Sequence, residues 1–404
     1  SWAASFCACS AMPRSFSRSS SRDGETLADQ LARAMSAVDV GSEDLEKLAA
    51  DQYASAPPED VDPQYLQRLG LLGGGGYASV WLCTDVRTNR QYALKQLRKG
   101  VAVHLNFTPR CILERQALEA MRHPFITRMY TTFQDDANLY FVLELARGGD
   151  LFSVQSAQPN YMLPESWAKF YAASLSLALR HIHSKGFVYR DLKPENVLLD
   201  EEGFLKLADL GLSKKVGSDR TYTQCGTEEY VPPEMLKGRG RTRASDWWAV
   251  GVFVFELLTG HPPFEGDKPS DIFDQISDYA SAGDKANQRL GDLLVQNKVG
   301  AQIPISIECG MFVTQLLRAE EHKRLGCTAE GFLGIQQHPW FADFDWAALL
   351  KREMRPPHNP PPPTKPFAEE ELEPQVLKVL PYDKALHDKE FNKFGPKIIM
   401  GSCI

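Results

Sequence analysis

The sequence predicts an α+β fold in two lobes: a small antiparallel β-sheet carrying one main helix, then a larger, mostly helical lobe. Three observations lead there. Short β-prone runs punctuated by glycine fill the stretch from Tyr65 to Leu145. The period then changes to 3.6, with Trp167, Phe170, Tyr171, Ser174, Leu175, Ala178, Leu179 and Ile182 on one helical face. Farther on, Trp247, Trp248, Val250, Val252, Phe253, Val254, Phe255, Leu257 and Leu258 make a nearly unbroken apolar helix, and a helix apolar all round is buried all round.

Taken in order, residues 1 to about 65 are polar, with a weak helical stretch around Glu25–Leu48 and a break at Pro57-Pro58. They read as tail and linker, largely disordered. The opening SWAASFCACSAMPRSFSRSSSR has Ala, Ser and Arg but no acid before Asp23, which is the composition of a transit leader. A disordered tail on a processed or incomplete chain is the plainer reading, because nothing in it is amphipathic. From Leu66 the run LQRLGLLGGGGYASVWLCTDVRTNRQYALKQL predicts three antiparallel strands. A helix follows through Cys111–Met121, halted before Pro124, and Phe125–Phe133 and Leu139–Leu145 read as two more strands, closing the small lobe near residue 145. The large lobe spans about 146–341, with helices ending at Gly186 and running from Asp246 to Leu258. A polar segment near Tyr279–Lys298 interrupts it. The prolines Pro360–Pro363 and Pro366 open a C-terminal extension, 342–404, that regular helix cannot accommodate. Its P-x-x-P pattern suits an aromatic groove on another protein, though a stiff spacer is the simpler role.

The chain has 404 residues and a net charge of −7, from 45 Lys+Arg against 52 Asp+Glu, which argues against a protein whose main task is neutralising nucleic-acid phosphates. No run of about 18 uncharged apolar residues exists, so no membrane-spanning helix is expected. The eight cysteines are scattered without C-x-x-C spacing, which fits reduced thiols and a cytoplasmic location better than a zinc site.

The turn Gly73-Gly74-Gly75-Gly76-Tyr77-Ala78-Ser79-Val80 joins two antiparallel strands, and glycine there lets backbone N–H groups approach phosphates. Alone it is also what any glycine-rich hairpin looks like. Val80 and Ala93 on neighbouring strands would form an apolar lid, with the Lys95 ammonium beside the phosphates and Glu114 on the following helix as its counter-ion. The segment Tyr189–Leu199 then supplies a carboxylate, an ammonium and an amide in one short loop: Asp191 to take a hydroxyl proton, Lys193 for a γ-phosphate, Asn196 for a metal. Asp209, after the run Leu207-Ala208, is a second hard-cation ligand. In-line hydroxyl, neutralised phosphate and held Mg²⁺ are what phosphoryl transfer needs.

These residues in this order resemble the protein kinase superfamily over about Leu66–Phe341, with Pro232-Pro233-Glu234 closing the activation segment. The departures are Ala78 for a glycine, Tyr189 for His, Leu210 for Phe and Pro232 for Ala, none of which removes a needed charge. HPFI at His123, LELARGGDLF at Leu143, CGTEEYVPPE at Cys225, SDWWAVGV at Ser245 and HPWFADFDW at His338 are similar to the AGC group, and most of all to cAMP- and cGMP-dependent kinases.

That resemblance implies Leu143 as gatekeeper and Glu144–Ala146 as the adenine hinge. The wider ATP site then comprises Leu72, Gly73, Gly74, Gly75, Gly76, Tyr77, Ala78, Ser79, Val80, Ala93, Lys95, Glu114, Glu144, Ala146, Asp150 and Leu198, with Asn196 and Asp209 on Mg²⁺. It implies a structural ion pair Glu234–Arg324, and an activation phosphosite at Thr223 read by Arg190, Lys214 and Arg110, which would repel one another without phosphate. Asp150, Glu195 and Glu256 would take substrate arginines, while Gln224 and Glu228 would weaken apolar preference just after the phosphoacceptor. Phe391 and Phe394 match the tail motif that docks on the small lobe, and Phe367 is a candidate for approaching adenine, without the Tyr expected after it.

The implied function is transfer of the ATP γ-phosphate to Ser or Thr in Arg-rich proteins, switched on at Thr223 by an upstream kinase or by autophosphorylation. About 65 residues before the kinase region are too few for a cyclic-nucleotide domain, so either a separate regulatory subunit or a missing domain of a longer chain is expected. A scaffolding pseudokinase and a small-molecule kinase are the rival readings. Intact Lys95, Asp191 and Asp209 count against the first, and the tail and activation segment against the second.

Overall fold

Alternation along the strands builds the small lobe. The computed structural model describes residues 42–54, 60–74, 78–216, 220–223, 226–296, 305–360 and 384–398. Leu66–Gly74 (β1), Ala78–Asp85 (β2), Arg90–Arg98 (β3), Met129–Gln134 (β4) and Asn138–Leu143 (β5) form an antiparallel sheet in the order β1-β2-β3-β5-β4. On β3, Tyr92 and Leu94 face an outer cluster with Leu66, Phe133, Tyr140 and Val142, whereas Leu97 joins Leu139 and Phe141 in the main core. Successive side chains of a strand point to opposite faces, so this alternation leaves Lys95 on the inner side, opposite Val80 of β2 and Phe141 of β5.

Helix α1 spans Ser42–Ala54, α2 Lys99–His104 and α3 Thr108–Ala120. In α3 the buried positions Cys111, Glu114, Ala117 and Leu118 recur at helical spacing, so one stripe faces inward and carries a carboxylate with it. The stretch Phe125–Phe133 is not one strand, as expected, but a buried loop followed by β4. His123 Nδ1 accepts from Phe125 N at 3.1 Å, and Ile126 makes a parallel bridge with Leu207 of the large lobe. Backbone groups spent on that bridge are not available to the sheet.

The large lobe holds α4 (Leu151–Ser156), α5 (Glu165–Ser184), α6 (Pro233–Leu236), α7 (Arg243–Thr259), α8 (Pro269–Ala282), α9 (Asp284–Gln296), α10 (Ile307–Leu316), α11 (Phe332–Gln336) and α12 (Trp346–Leu350). Two short two-stranded antiparallel sheets belong to it: β6 (Phe187–Val188) with β9 (Lys214–Lys215), and β7 (Val197–Leu199) with β8 (Leu205–Leu207). Helix α7 is buried from Ala244 to Leu258 except at Glu256, as its apolar composition requires. Gly251 permits the close crossing with α10, since a Cβ there would lie 2.9 Å from Leu317.

Two expectations need correction. Part of the supposed tail, Ser42–Ala54, is a helix that overlaps the end of the stretch read as weakly helical at Glu25–Leu48 and runs past it, with Leu45 and Ala49 buried and Glu46 Oε2 3.1 Å from His181 Nδ1 on α5. The polar segment near Tyr279–Lys298 is not an interruption; as far as it is described, it belongs to α8 and α9. Leu290 and Leu294 of α9 are buried, and Asn287 Nδ2 donates to the Tyr279 hydroxyl at 2.8 Å and to Thr314 O at 2.6 Å. Both segments were hard to read because each buries only a narrow stripe of a mostly polar sequence.

Glu234 and Arg324 meet as a fork inside the large lobe, at 2.9 Å on both arms, with Arg324 also donating to Ala244 O and Arg318 O. Both are nearly solvent-free, at 2% and 0% exposure, so either one alone would be an uncompensated buried charge. Replacing Arg324 by Met is expected to lower stability by about 3–5 kcal/mol, read as an earlier urea midpoint at neutral pH. An unchanged midpoint would exclude this role.

Candidate active site

The glycine turn leaves β1 and returns in β2, with Gly73 opposite Val80 and Gly74 opposite Ser79. Leu72, Ala78 and Val80 are therefore placed at the mouth of the sheet, while Gly75, Gly76 and Tyr77 lie outside the described residues. Ala93 pairs with Leu82 on one side and Leu143 on the other, two residues before Lys95. Lys95 Nζ donates to Glu114 Oε1 at 2.7 Å and to Asp209 Oδ1 at 3.1 Å. Burial by itself would discharge the ammonium, but the charges of Asp209 and Glu114 more than offset it, so the Lys95 pKa is raised. The Lys95 charge in turn holds the Asp209 carboxyl below its ordinary value. Burial pushes Glu114 upward, against the pull of the same lysine.

Asp209 sits at φ +51°, left-handed backbone that aspartate tolerates better than most residues, and its Oδ1 accepts from Gly211 N at 3.2 Å. A Cβ at Gly211 would lie 3.0 Å from that oxygen and 3.2 Å from Glu114 Oε2, so the turn brings backbone close to both carboxylates.

The catalytic-loop candidates hang from a residue the sequence reading did not assign, Asp246 on α7. It is 1% exposed; its Oδ2 accepts from Tyr189 N and its Oδ1 from Arg190 N, both at 2.9 Å, and His183 Nε2 lies 2.7 Å away. A carboxylate at the head of a long apolar run was the available signal, since a buried acid needs donors. Tyr189 adds a 2.5 Å hydrogen bond to Ala208 O, tying the loop to the strand before Asp209. Asn196 Nδ2 donates to Asp191 Oδ2 at 2.9 Å and to Asp191 O at 2.7 Å. Burial raises the Asp191 pKa, while Lys193 opposes that rise and also lowers Asp209.

The donor set suits Mg²⁺. No group of three or more His, Cys, Asp or Glu side chains is poised for a metal among the described residues. Mg²⁺ takes few protein oxygens and completes its shell with phosphates and water. The Asp209 carboxylate and the Asn196 amide oxygen, which remains after the NH₂ group is spent on Asp191, provide that kind of ligand.

Other predicted residues are placed less uniformly. The Glu144 carboxylate is engaged by Lys206 Nζ at 2.6 Å and by Arg128 N at 3.1 Å. Its hinge neighbour Ala146 is half-buried. Both Asp150 oxygens are engaged by Ser153, capping α4 at 2.7 Å and 2.9 Å, and Asp150 bridges Leu198 through backbone. Glu256 accepts from the Tyr230 hydroxyl. Burial, with the nearby charges of Glu195, Glu229 and Glu265, raises its pKa to about 7 against the Tyr230 bond. Glu195 and Glu256 thus share one acidic field, joined by Glu229 and Glu265, which sequence reasoning missed because burial and fold position them.

Thr223 is exposed, Lys214 is half-buried on β9 and Arg110 is exposed in the first turn of α3. Arg190 donates through Nε to Leu212 O at 2.6 Å and through Nη1 to Thr221 Oγ1 at 3.1 Å. Gln224 lies outside the described residues, as does Phe367.

In the tail, helix α13 (Lys384–Phe391) leads to Phe391 and Phe394, both fully buried. Phe394 meets Phe141 edge-on at 5.0 Å, Gln134 Nε2 donates to Phe391 O and Gly395 O, and Lys397 forms a parallel bridge with Gln134 at the sheet edge. Among the described residues no helix is long and apolar enough to cross a membrane.

The family described as protein kinase domain matches residues 66–341. Human ribosomal protein S6 kinase alpha-2 is 38% identical over 307 residues, 75% of this chain and 39% of that protein. Mouse ribosomal protein S6 kinase alpha-3 is 36% identical over 321 residues, 78% and 40% respectively. The putative ribosomal protein S6 kinase alpha-1 of Caenorhabditis elegans is 39% identical over 307 residues, 75% and 36%. The chain spans about two-fifths of the length of these relatives. They do not support the narrower likeness to cyclic-nucleotide-dependent kinases.

Truncating Phe394 to Ala removes a fully buried ring. The expected result is release of the tail, with hydrogen exchange at Gln134 and Ile398 accelerated by on the order of a hundredfold, within the about 3–5 kcal/mol such truncations cost. Exchange unchanged at those amides would contradict this.

Proposed function

The chain belongs to the protein kinase domain family, and on that premise we propose that it is an AGC-group serine/threonine kinase transferring the γ-phosphate of ATP to Ser or Thr in Arg-rich sequences. The observation that carries this is the Lys95 ammonium held between Glu114 and Asp209 in a fold that also pairs Asp191 with Asn196. In this reading Lys95 aligns the ATP phosphates, and the turn from Gly73 to Val80 covers them. Glu144 and Ala146 offer backbone to adenine, with Leu72, Ala93 and Leu198 as apolar walls. Asn196 and Asp209 would hold Mg²⁺, which when bound neutralises phosphate charge. Asp191 orients the substrate hydroxyl and accepts its proton; Lys193 steadies the transferring group.

The relatives favour an S6-kinase-like enzyme over a cyclic-nucleotide-dependent one, so a cyclic-nucleotide regulatory subunit is not part of the proposal. Thr223 is proposed as the activating phosphosite, modified by an upstream kinase or by the enzyme itself, and the cytoplasm as its location. Glu195 and Glu256 are proposed to take substrate arginines. Asp150, already engaged by Ser153, would contribute only after releasing that cap.

The test is transfer of labelled phosphate from Mg·ATP to an Arg-rich serine peptide. Asp191→Asn is expected to lower kcat by about 10²–10⁴, and Thr223→Ala to reduce it more mildly. A chain phosphorylated at Thr223 that still transfers nothing would sink the catalytic reading in favour of a scaffold.

The raised Glu256 pKa gives a second prediction. An arginine pairs with the ionised carboxylate, which is populated above pH about 7 and lost below it. Peptide kcat/KM should therefore rise with pH through that value, and Glu256→Gln should flatten the rise and raise peptide KM. A profile identical in the variant would remove Glu256 from peptide recognition.

A further inference from the structure

The activation segment is fastened to the rest of the large lobe just before Thr223. Thr221 is fully buried and exchanges two backbone hydrogen bonds with Arg241, at 3.0 Å and 2.7 Å. Its hydroxyl accepts from Arg190 Nη1 at 3.1 Å, and Arg241 Nη1 donates to Arg190 O at 3.1 Å. Arg220 beside it forks onto Glu321, with three contacts of 3.1 Å, and reaches the carbonyls of Arg239 and Gly240. Glu321 also accepts from Thr242, the cap of α7.

These contacts converge on a strained backbone. Arg190 has φ +72°, a conformation disfavoured for a side chain of its size, and is followed directly by Asp191. Its N–H is held by Asp246, its carbonyl by Arg241 and its guanidinium by Thr221 and Leu212. Gly226 packs against the same carbonyl, where a Cβ would lie 2.7 Å from Arg190 O. Thr221 and Leu212 thus give the Arg190 guanidinium protein oxygens to donate to.

We propose that Thr221, braced by Arg220 and Glu321, is a positioning residue: a clasp that holds Arg190, and through it Asp191, in place without a phosphate at Thr223. This deepens the kinase reading above and rests on it for its effect on turnover. Phosphate at Thr223 then adds to an arrangement that the clasp already sustains, and the clasp accounts for basal activity.

The experiment uses the full chain, treated with phosphatase and shown by mass spectrometry to lack phosphate at Thr223. Hydrogen exchange across residues 187–197 and kcat and KM with Mg·ATP and an Arg-rich serine peptide are compared for the unsubstituted chain, Thr221→Val, Thr221→Ser and Glu321→Gln. Val keeps the shape and loses the acceptor for a charged donor. It is expected to speed exchange at Tyr189 and Arg190 and to lower kcat, each by about tenfold, with KM for ATP within about twofold. Ser, which keeps the hydroxyl, should restore both, and Glu321→Gln should shift both in the same direction as Val by less. Exchange and turnover within about twofold of the unsubstituted chain in both Thr221→Val and Glu321→Gln, or exchange accelerated equally in the small sheet, would overturn the clasp. If the unsubstituted chain transfers no phosphate after Thr223 phosphorylation, the kinase reading falls, while exchange still decides whether Thr221 holds Arg190.

Discussion

An ammonium buried on the inner side of a sheet must find carboxylates or lose its charge, and much of this structure follows from how Lys95 meets that demand. Glu114 reaches it because α3 buries a stripe that includes an acid, and Asp209 reaches it from the other lobe. The contact therefore ties sheet, helix and cleft floor into one electrostatic unit. It works only if backbone comes close: Asp209 adopts a left-handed conformation, and Gly211 leaves room where a side chain would crowd both carboxylates. The bridge between Ile126 and Leu207 fastens the lobes near the same place.

A second buried acid organises the other half of the site. Asp246 projects from an apolar helix and satisfies its charge with the N–H groups of Tyr189 and Arg190, so the core of the large lobe dictates where Asp191 sits. The two acids differ in purpose. Asp209 is held ionised by Lys95 and half open to the cleft, as the metal role proposed for it requires; Asp246 is sealed, its carboxylate spent on backbone N–H groups. On the far side, the tail covers the β4 edge through Gln134 and Lys397, which removes an unpaired strand edge while seating two phenylalanines.

Much of the fold was legible in advance because its main elements are strongly patterned. Helix α5 and helix α7 announce themselves by period and by composition, and β1 to β3 by alternation broken at glycine. The misreadings share a cause. Helix α1 fixes itself with Leu45, Ala49 and a few polar contacts, and α9 with Leu290, Leu294 and Asn287, too little apolar surface to stand out in a polar stretch. Phe125 and Ile126 look like strand because they are apolar, but their backbone pairs with Leu207 rather than with the sheet. Thr221 carries no pattern at all, and Asp246 only that of an acid at the head of an apolar run; their roles arise from what surrounds them.

The sequence by itself determined the local chemistry: Asp191, Lys193 and Asn196 fall within six residues, so any loop they form keeps carboxylate, ammonium and amide together. It also determined which residue types stand at the glycine turn and at the docking tail. Only the tertiary structure decided which distant groups meet. Lys95 and Asp209 are 114 positions apart, and Glu234 and Arg324 are 90 apart. Such pairs form only once long loops have closed and both partners are withdrawn from water, and neither chain closure nor burial is written in local spacing. Burial likewise set the raised pKa of Glu256 and the sealed environments of Asp246 and Thr221, because the free energy of a charge or a hydroxyl depends on the solvent it has left.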